Sequence, residues 1–342
     1  MSLSYLQHES TPVLPESVWA LAWTPLDHII SGSADGHIRV HSATDLSVPL
    51  QDAGSHPLAI TSLSVTEDGR RSLSTSLDGT VVLFDPLEGR DLDRLDTSRE
   101  KVDGDRELPA FSCAVHPSMK CWAWSGRSSK IAMRSISQAD HAESSTNGDG
   151  VGRSLLSGET KLVETGKGKF GMDLKFSPDG QMLALATESG HVIVLDTETQ
   201  AIIATYQSHA MATRTISWSP DSQWLLSGSD DHLIVIHDVR AGSKSGAGGR
   251  GEGAVGMMQG HQSWVLSVAA SPDGKLLGSG GADGVIKLWD IGQRTAVYSN
   301  SSSAEVWGFD WQPVSANSNA SGKQFAIGED NTVSLYRAAG SV

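Results

Sequence analysis

One short phrase returns along the whole chain. A turn of small and polar residues, usually holding Asp and Gly, leads into an alternating apolar run that closes on a bulky residue and often Asp. It reads SADGHIRVHS at 33–42, SLDGTVVLFD at 76–85, ESGHVIVLD at 188–196, SDDHLIVIHD at 229–238, GADGVIKLWD at 281–290 and GEDNTVSLYR at 328–337. A worn copy, RSSKIAMRSI, occupies 127–136. The turn positions Asp35, Asp78, Ser129, Ser189, Asp231, Asp283 and Asp330 are 43, 51, 60, 42, 52 and 47 residues apart. A unit of that length, alternating with period two and without helical periodicity, reads as one four-stranded antiparallel sheet. Such a sheet cannot bury both faces alone, whereas several arranged radially can. The expected fold is all-β, a single seven-bladed β-propeller over residues 1–342.

Within a unit, an apolar strand precedes a Ser-Pro-Asp turn (KFSPDG, SWSPDS, AASPDG), and a second strand runs into the Asp turn. The repeated phrase is the third strand, and a fourth follows, as in TQAIIATYQ at 199–207. The last unit ends after its third strand, near Tyr336. The segment SLSYLQHE at 2–9 is free to supply the missing outer strand. Closing the ring this way would remove the open edges of the architecture. The longer spacings coincide with polar, Gly- and Ser-rich stretches at 137–160, 241–256 and 314–322, which are expected to be flexible surface insertions. None has the GxxxxGK[ST] form of a phosphate loop, and no cofactor is expected.

Charge and composition narrow the function. A net charge of −14 without any Lys/Arg run argues against gripping nucleic acid or an anionic membrane. The two cysteines, Cys113 and Cys121, allow no disulfide framework and are expected to be buried thiols. The N-terminal residues lack the basic start and apolar run of a signal peptide, and no stretch reaches the ~18 apolar residues of a membrane span. The expected compartments are the cytoplasm and, as a second location, the nucleus.

These phrases resemble the WD-repeat family, most completely in GHQSWVLSVAASPDGKLLGSGGADGVIKLWD at 260–290. The resemblance implies a hydrogen-bonded network inside each blade, here His261, Ser279, Asp283 and Trp289. A half-buried imidazole needs partners for both nitrogens, and a buried indole N–H needs an acceptor. The second unit retains His56, Ser74 and Asp78, with Phe84 in the place of Trp. The fifth retains His209, Ser227 and Asp231, with His237 in that place. The first retains Ser31 and Asp35, but has Val13 where His is expected and His41 in the place of Trp. Recurrence of the Ser/His/Asp set at one spacing in several units marks a building device rather than a hydrolase, and no G-x-S-x-G elbow occurs. No CxxC pair is present, and His37 and His41 on one strand face suggest no metal site.

Aligning the inner strands on the Ser-Pro turns gives one equivalent position per blade, near the start of each strand. Its occupants are Trp19, Thr61, Phe111, Met172, Arg214, Leu266 and Trp307. In the family this position lies near the mouth of the central channel, on the face that commonly binds partners. An apolar ring with one Arg suits a short peptide carrying an apolar anchor and a polar or charged neighbour. The alternative for each side chain is simply to fill the channel wall.

At a finer level the chain is similar to the WD-repeat subunits of the superkiller (Ski) complex. The similarity is carried by ESVWALAW, GKFGMDLKFSPDGQMLALAT, YQSHAMATRTISWSPDSQWLLSGSDDHLIVIHDVR, GHQSWVLSVAASPDGK, SAEVWGFDWQP and GEDNTVSLYR. It reaches most of residues 16–337 and is weakest in the third blade and the insertions. It implies a non-enzymatic scaffold, monomeric on its own, that joins a tetratricopeptide-repeat protein and an RNA helicase in exosome-dependent 3′-to-5′ decay of messenger RNA. It further implies partners in meiotic recombination or a transcription-elongation complex. The competing expectation is a substrate receptor of a ubiquitin ligase, or another chromatin or signalling WD-repeat adaptor, which reads phosphopeptides through an Arg cluster. Only Arg214 stands in the ring to serve that role.

Overall fold

The computed structural model describes residues 4–54, 56–104, 106–136, 154–168, 170–241, 253–314 and 323–339. They form seven four-stranded antiparallel sheets. The inner strands are Val18–Trp23, Ile60–Val65, Ala110–Val115, Gly171–Phe176, Thr213–Trp218, Val265–Ala270 and Val306–Trp311, and each touches the next in cyclic order, the seventh returning to the first. This is a closed seven-bladed propeller.

Each Ser-Pro turn is fixed locally. In the fourth blade Ser177 donates to Asp179 Oδ1 at 2.6 Å, its hydroxyl accepts the Met182 N–H at 2.9 Å, and Gly180 takes φ +71°. Gly is the residue that enters this left-handed conformation without a Cβ penalty. Ser219 and Asp221, and Ser271 and Asp273, repeat the wiring in the next two blades.

The core is distributed, with one apolar cluster at every seam between blades. Between the first and second, Ile30, Ile38 and Val40 meet Ile60, Leu63, Val82 and Phe84. Between the sixth and seventh, Gly278 lets the Phe309 ring lie where a Cβ would sit only 2.0 Å away. Alternation therefore serves both faces of a blade, each facing a neighbour.

The ring closes as expected. Tyr5–Ser10 pairs antiparallel with Thr332–Ala338 and completes the seventh blade, whose order runs Tyr5–Ser10, Thr332–Ala338, Gln324–Glu329, Val306–Trp311. Gln7 donates to Ser334 Oγ at 3.2 Å, and the Val333 N–H donates to Thr11 Oγ1 at 3.0 Å.

The three expected insertions lie largely outside the described residues. Their edges belong to blades: Leu156 is fully buried, Thr160 opens an outer strand and so does Ala254. Cys113 is buried and Cys121 partly so, and both thiols are free. One addition was not expected, a short hairpin pairing Lys101–Asp103 with Arg106–Glu107 between the second and third blades.

Candidate interaction face and blade networks

Every inner strand breaks register at one place. The shifts fall between Val18/Ala20, Ile60/Ser62, Ala110/Ser112, Gly171/Asp173, Thr213/Thr215, Val265/Ser267 and Val306/Gly308. The residue left over in each is a member of the aligned ring: Trp19, Thr61, Phe111, Met172, Arg214, Leu266 or Trp307. An extra residue in one strand bends it locally and re-aims its side chain. Seven such bulges place seven side chains around one opening, and all seven line the same central cavity.

The ring is not uniform. The indoles of Trp19 and Trp307, from the two blades that meet at the closure, stack with centroids 6.0 Å apart. Phe111 packs edge-to-face on Phe170 at 4.9 Å. Arg214 forms an ion pair with Asp230 and lies over the Trp264 ring, 4.5 Å from its centroid. Thr61 donates to the Phe111 carbonyl at 2.6 Å and meets the Thr75 hydroxyl at 3.1 Å. Six of the seven ring residues are half-buried, while Leu266 is only 7% exposed. Leu266 thus meets the cavity mainly as part of its wall. Trp264, two positions earlier and 42% exposed, carries the accessible apolar surface of that blade.

Phe170 and Trp264 were missed because they precede the strand on which the alignment is built. The available signal was an aromatic two residues ahead of the ring position in both blades.

Beyond the ring, the lining mixes polar side chains, Ser62, Ser112, Thr215, Ser267, Asp173 and Lys175, with apolar ones such as Leu63, Ile216 and Phe309. Asp173 Oδ2 accepts the Ile216 N–H of the next blade at 2.9 Å. Asp310 Oδ2 accepts the Trp23 N–H at 2.8 Å, joining the seventh blade to the first. Its surroundings of protein push the Asp310 carboxyl up to about 6. Lys175 Nζ reaches the Leu63 carbonyl of the second blade at 3.5 Å, so its side chain lies across the throat.

The blade networks divide into complete and incomplete. In the sixth blade His261 Nδ1 lies 3.0 Å from Asp283 Oδ2, and Nε2 lies 2.8 Å from Ser279 Oγ. The Trp289 indole N–H donates to that same hydroxyl at 2.8 Å. The fifth blade runs the same chain from Asp231 through His209 to Ser227, at 3.1 and 2.7 Å, and His237 Nε2 takes the place of the indole at 3.1 Å. Complete burial pushes the His237 imidazole down to about 3.

The second blade departs from expectation. His56 Nε2 meets Ser74 Oγ at 2.8 Å, but Nδ1 has no partner among the described residues. Asp78 accepts the Thr80 N–H at 2.8 Å in its own turn and makes no hydrogen bond to His56. Burial without that carboxylate contact pushes His56 down to about 4. In the first blade Asp35 pairs with Arg39 at 2.8 Å, and the buried Ser31 hydroxyl and His41 ring have no partners among the described residues. None of these sets has an open nucleophile: Ser74, Ser227 and Ser279 are fully buried.

The third blade replaces the network. Trp124 stands at the Ser position and donates its indole N–H to the Leu108 carbonyl at 2.9 Å. Arg134 stands at the Trp position, 5% exposed, with its guanidinium 5.2 Å from the Trp124 centroid. Glu100, just before the added hairpin, accepts from Arg134 at 2.6 Å, and so does Thr160 Oγ1.

Comparison with known proteins agrees with this architecture. The family described as "WD domain, G-beta repeat" matches residues 7–42, 48–85, 200–238 and 254–290. The closed ring makes the chain a seven-bladed β-propeller, and four stretches of it match the WD repeat. It is 27% identical to WD repeat-containing protein SL1-17 of Schistosoma mansoni over 66% of this chain and 68% of that protein. It is 31% identical to WD repeat-containing protein slp1 of Schizosaccharomyces pombe, over 47% of this chain but only 31% of slp1. The ribosome biogenesis protein YTM1 of Meyerozyma guilliermondii is 28% identical over 47% of this chain and 32% of its own length. The chain thus spans about a third of slp1 and YTM1, and about two thirds of SL1-17.

Proposed function

We propose that this protein is a non-enzymatic docking scaffold that holds partner segments at the mouth of its channel. The observation that carries the reading is the sevenfold bulge. It turns Trp19, Phe111, Met172, Arg214 and Trp307 toward one opening, where the exposed Trp264 adds a third indole. Aromatic residues and Arg in a central, ringed position are the residue types that dominate binding energy in interfaces. The Ser and His residues of the blade networks are buried and serve the blades.

Within that class, the similarity in ESVWALAW, SAEVWGFDWQP and GEDNTVSLYR supports a Ski-type subunit. Its partners would be a tetratricopeptide-repeat protein and an RNA helicase in exosome-dependent messenger RNA decay, with further partners in meiotic recombination or transcription elongation. Its compartments would be the cytoplasm and the nucleus. The ligase-receptor reading is weaker, because the single ring Arg is already neutralised by Asp230. Affinity purification of the full chain tests the reading. Recovery of a helicase with a tetratricopeptide-repeat protein is expected, whereas recovery of cullin-type partners would overturn it. In the same assay Trp19→Ala with Trp307→Ala should abolish recovery while the thermal unfolding transition persists. Retained recovery by that double variant would sink the site assignment.

A further inference from the structure

The ring of bulged side chains is low at one point. Trp19 and Phe111 flank Thr61, whose short side chain is held down by hydrogen bonds to the Phe111 carbonyl and the Thr75 hydroxyl. Directly outward of Thr61, at the end of the ladder formed by the first two strands of the second blade, lie Leu58 and Leu77. The Leu77 N–H donates to the Ala59 carbonyl at 3.0 Å, and Ser76 Oγ donates to the Leu58 carbonyl at 3.0 Å. These bonds fix the two leucines beside each other, yet their side chains are 50% and 49% exposed.

No other blade carries this pair. The positions equivalent to Leu77 hold Ala34, Arg127, Glu188, Asp230, Ala282 and Asp330. Those equivalent to Leu58 hold, among the described residues, Glu16, the buried Leu108, Met211, Ser263 and Ala304. Only the second blade offers large apolar side chains at both. The neighbouring carboxylate, Asp78, is engaged by the Thr80 N–H within its turn. The result is an uncharged step joined to the channel mouth across its lowest wall.

We infer that a docked partner segment leaves the mouth over Thr61 and sets a second apolar side chain on Leu58 and Leu77. This rests on the docking reading above and adds to it the shape of the ligand. The occupant is an extended segment of a partner protein with two apolar residues. Leu58 is three residues from Thr61, a reach of at most about 10 Å at ~3.3 Å per residue. The two anchors are therefore three or four residues apart. An extended backbone is the form that covers this reach in three or four residues, because a helix rises only about 1.5 Å per residue.

The test uses the full chain and a displayed library of random twelve-residue peptides. Peptides selected on the wild type are measured by fluorescence anisotropy against Trp19→Ala/Trp307→Ala and against Leu58→Asp/Leu77→Asp. Leu58→Ser/Leu77→Ser replaces the latter should the carboxylates prevent folding. The expected result is that peptides sensitive to the Trp pair carry two apolar residues three or four apart and bind the Leu variant about tenfold more weakly. Changing the second apolar peptide residue to Ser should cost the same on the wild type and nothing further on the Leu variant. Trp-sensitive peptides that bind the Leu variant with unchanged affinity would overturn the inference and leave the docking reading standing. A library yielding no Trp-sensitive peptide would overturn the docking reading, and the inference with it.

Discussion

The third and sixth blades have the same strand count and the same strand order, but they are wired differently. The sixth ties its strands with Asp283, His261, Ser279 and Trp289, all supplied by its own repeat. The third uses two stacked indoles, Trp122 and Trp124, and a buried Arg134 whose carboxylate partner comes from the segment before the added hairpin. The residues that tie a blade's strands together therefore need not be the repeated ones: Trp124 and Arg134 find their acceptors in the Leu108 carbonyl, Glu100 and Thr160. A buried charge or indole is tolerated when its donors find acceptors and becomes costly when one is removed.

The largest expected effect tests the substitute network. Trp124→Ala removes a fully buried indole from the seam between the second and third blades and should destabilise by about 3–5 kcal/mol in urea unfolding. A loss under about 1 kcal/mol would mean that the third blade contributes little to the ring. In the sixth blade, Asp283→Ala strands His261 Nδ1, the Gln262 N–H and the Val285 N–H, which the carboxylate accepts at 3.0, 2.8 and 3.1 Å. The expected cost is about 2–3 kcal/mol for the three orphaned donors.

Acid should separate the two kinds of blade. His237 and His56 are pushed down to about 3 and 4, below the ordinary value of 6.5. The unfolded chain therefore binds their protons first, so this stability is present above pH 6.5 and lost as pH falls toward 3–4. Each imidazole should contribute a loss of about 1 kcal/mol by pH 5.5. Hydrogen exchange measured per blade should show the second and fifth blades losing protection ahead of the third. Simultaneous loss in all three would show that the ring opens as one unit before any imidazole is protonated. The smallest effect is Asp78→Ala, expected at about 0.5–1 kcal/mol because it removes only a turn hydrogen bond. A cost equal to that of Asp283→Ala would mean that Asp78 does reach His56 in solution.

Much of this architecture is legible in the sequence because blade identity depends on a repeated local pattern. The turn phrase, the Ser-Pro turns and the spare strand at Tyr5–Ser10 each announce themselves within ten residues. The ring of inner positions is legible too, since alignment alone brings Trp19, Phe111 and Trp307 to one level. The bulge that aims them is not. One extra residue leaves the alternation readable on either side, and the two-against-one count exists only when the neighbouring strand is present. The network in the third blade is hidden for another reason. Arg134 looks like a surface residue until Glu100, 34 positions earlier, is brought against it. Asp78 shows the converse, a motif residue in its proper place whose side chain turns to its own loop instead.

The shared last blade has a consequence for how the molecule is made. Gln7 must find Ser334, 327 residues later in the chain. At synthesis rates of about 5–20 residues per second, Tyr5–Ser10 waits on the order of 15–60 seconds without its neighbour. During that time the earlier blades can assemble, while the strand that will seal them remains an unpaired ribbon outside the growing structure. Its sequence, YLQHES, is short and polar enough to wait without recruiting another chain. The emergence of Thr332–Ala338 is then the event that locks the ring.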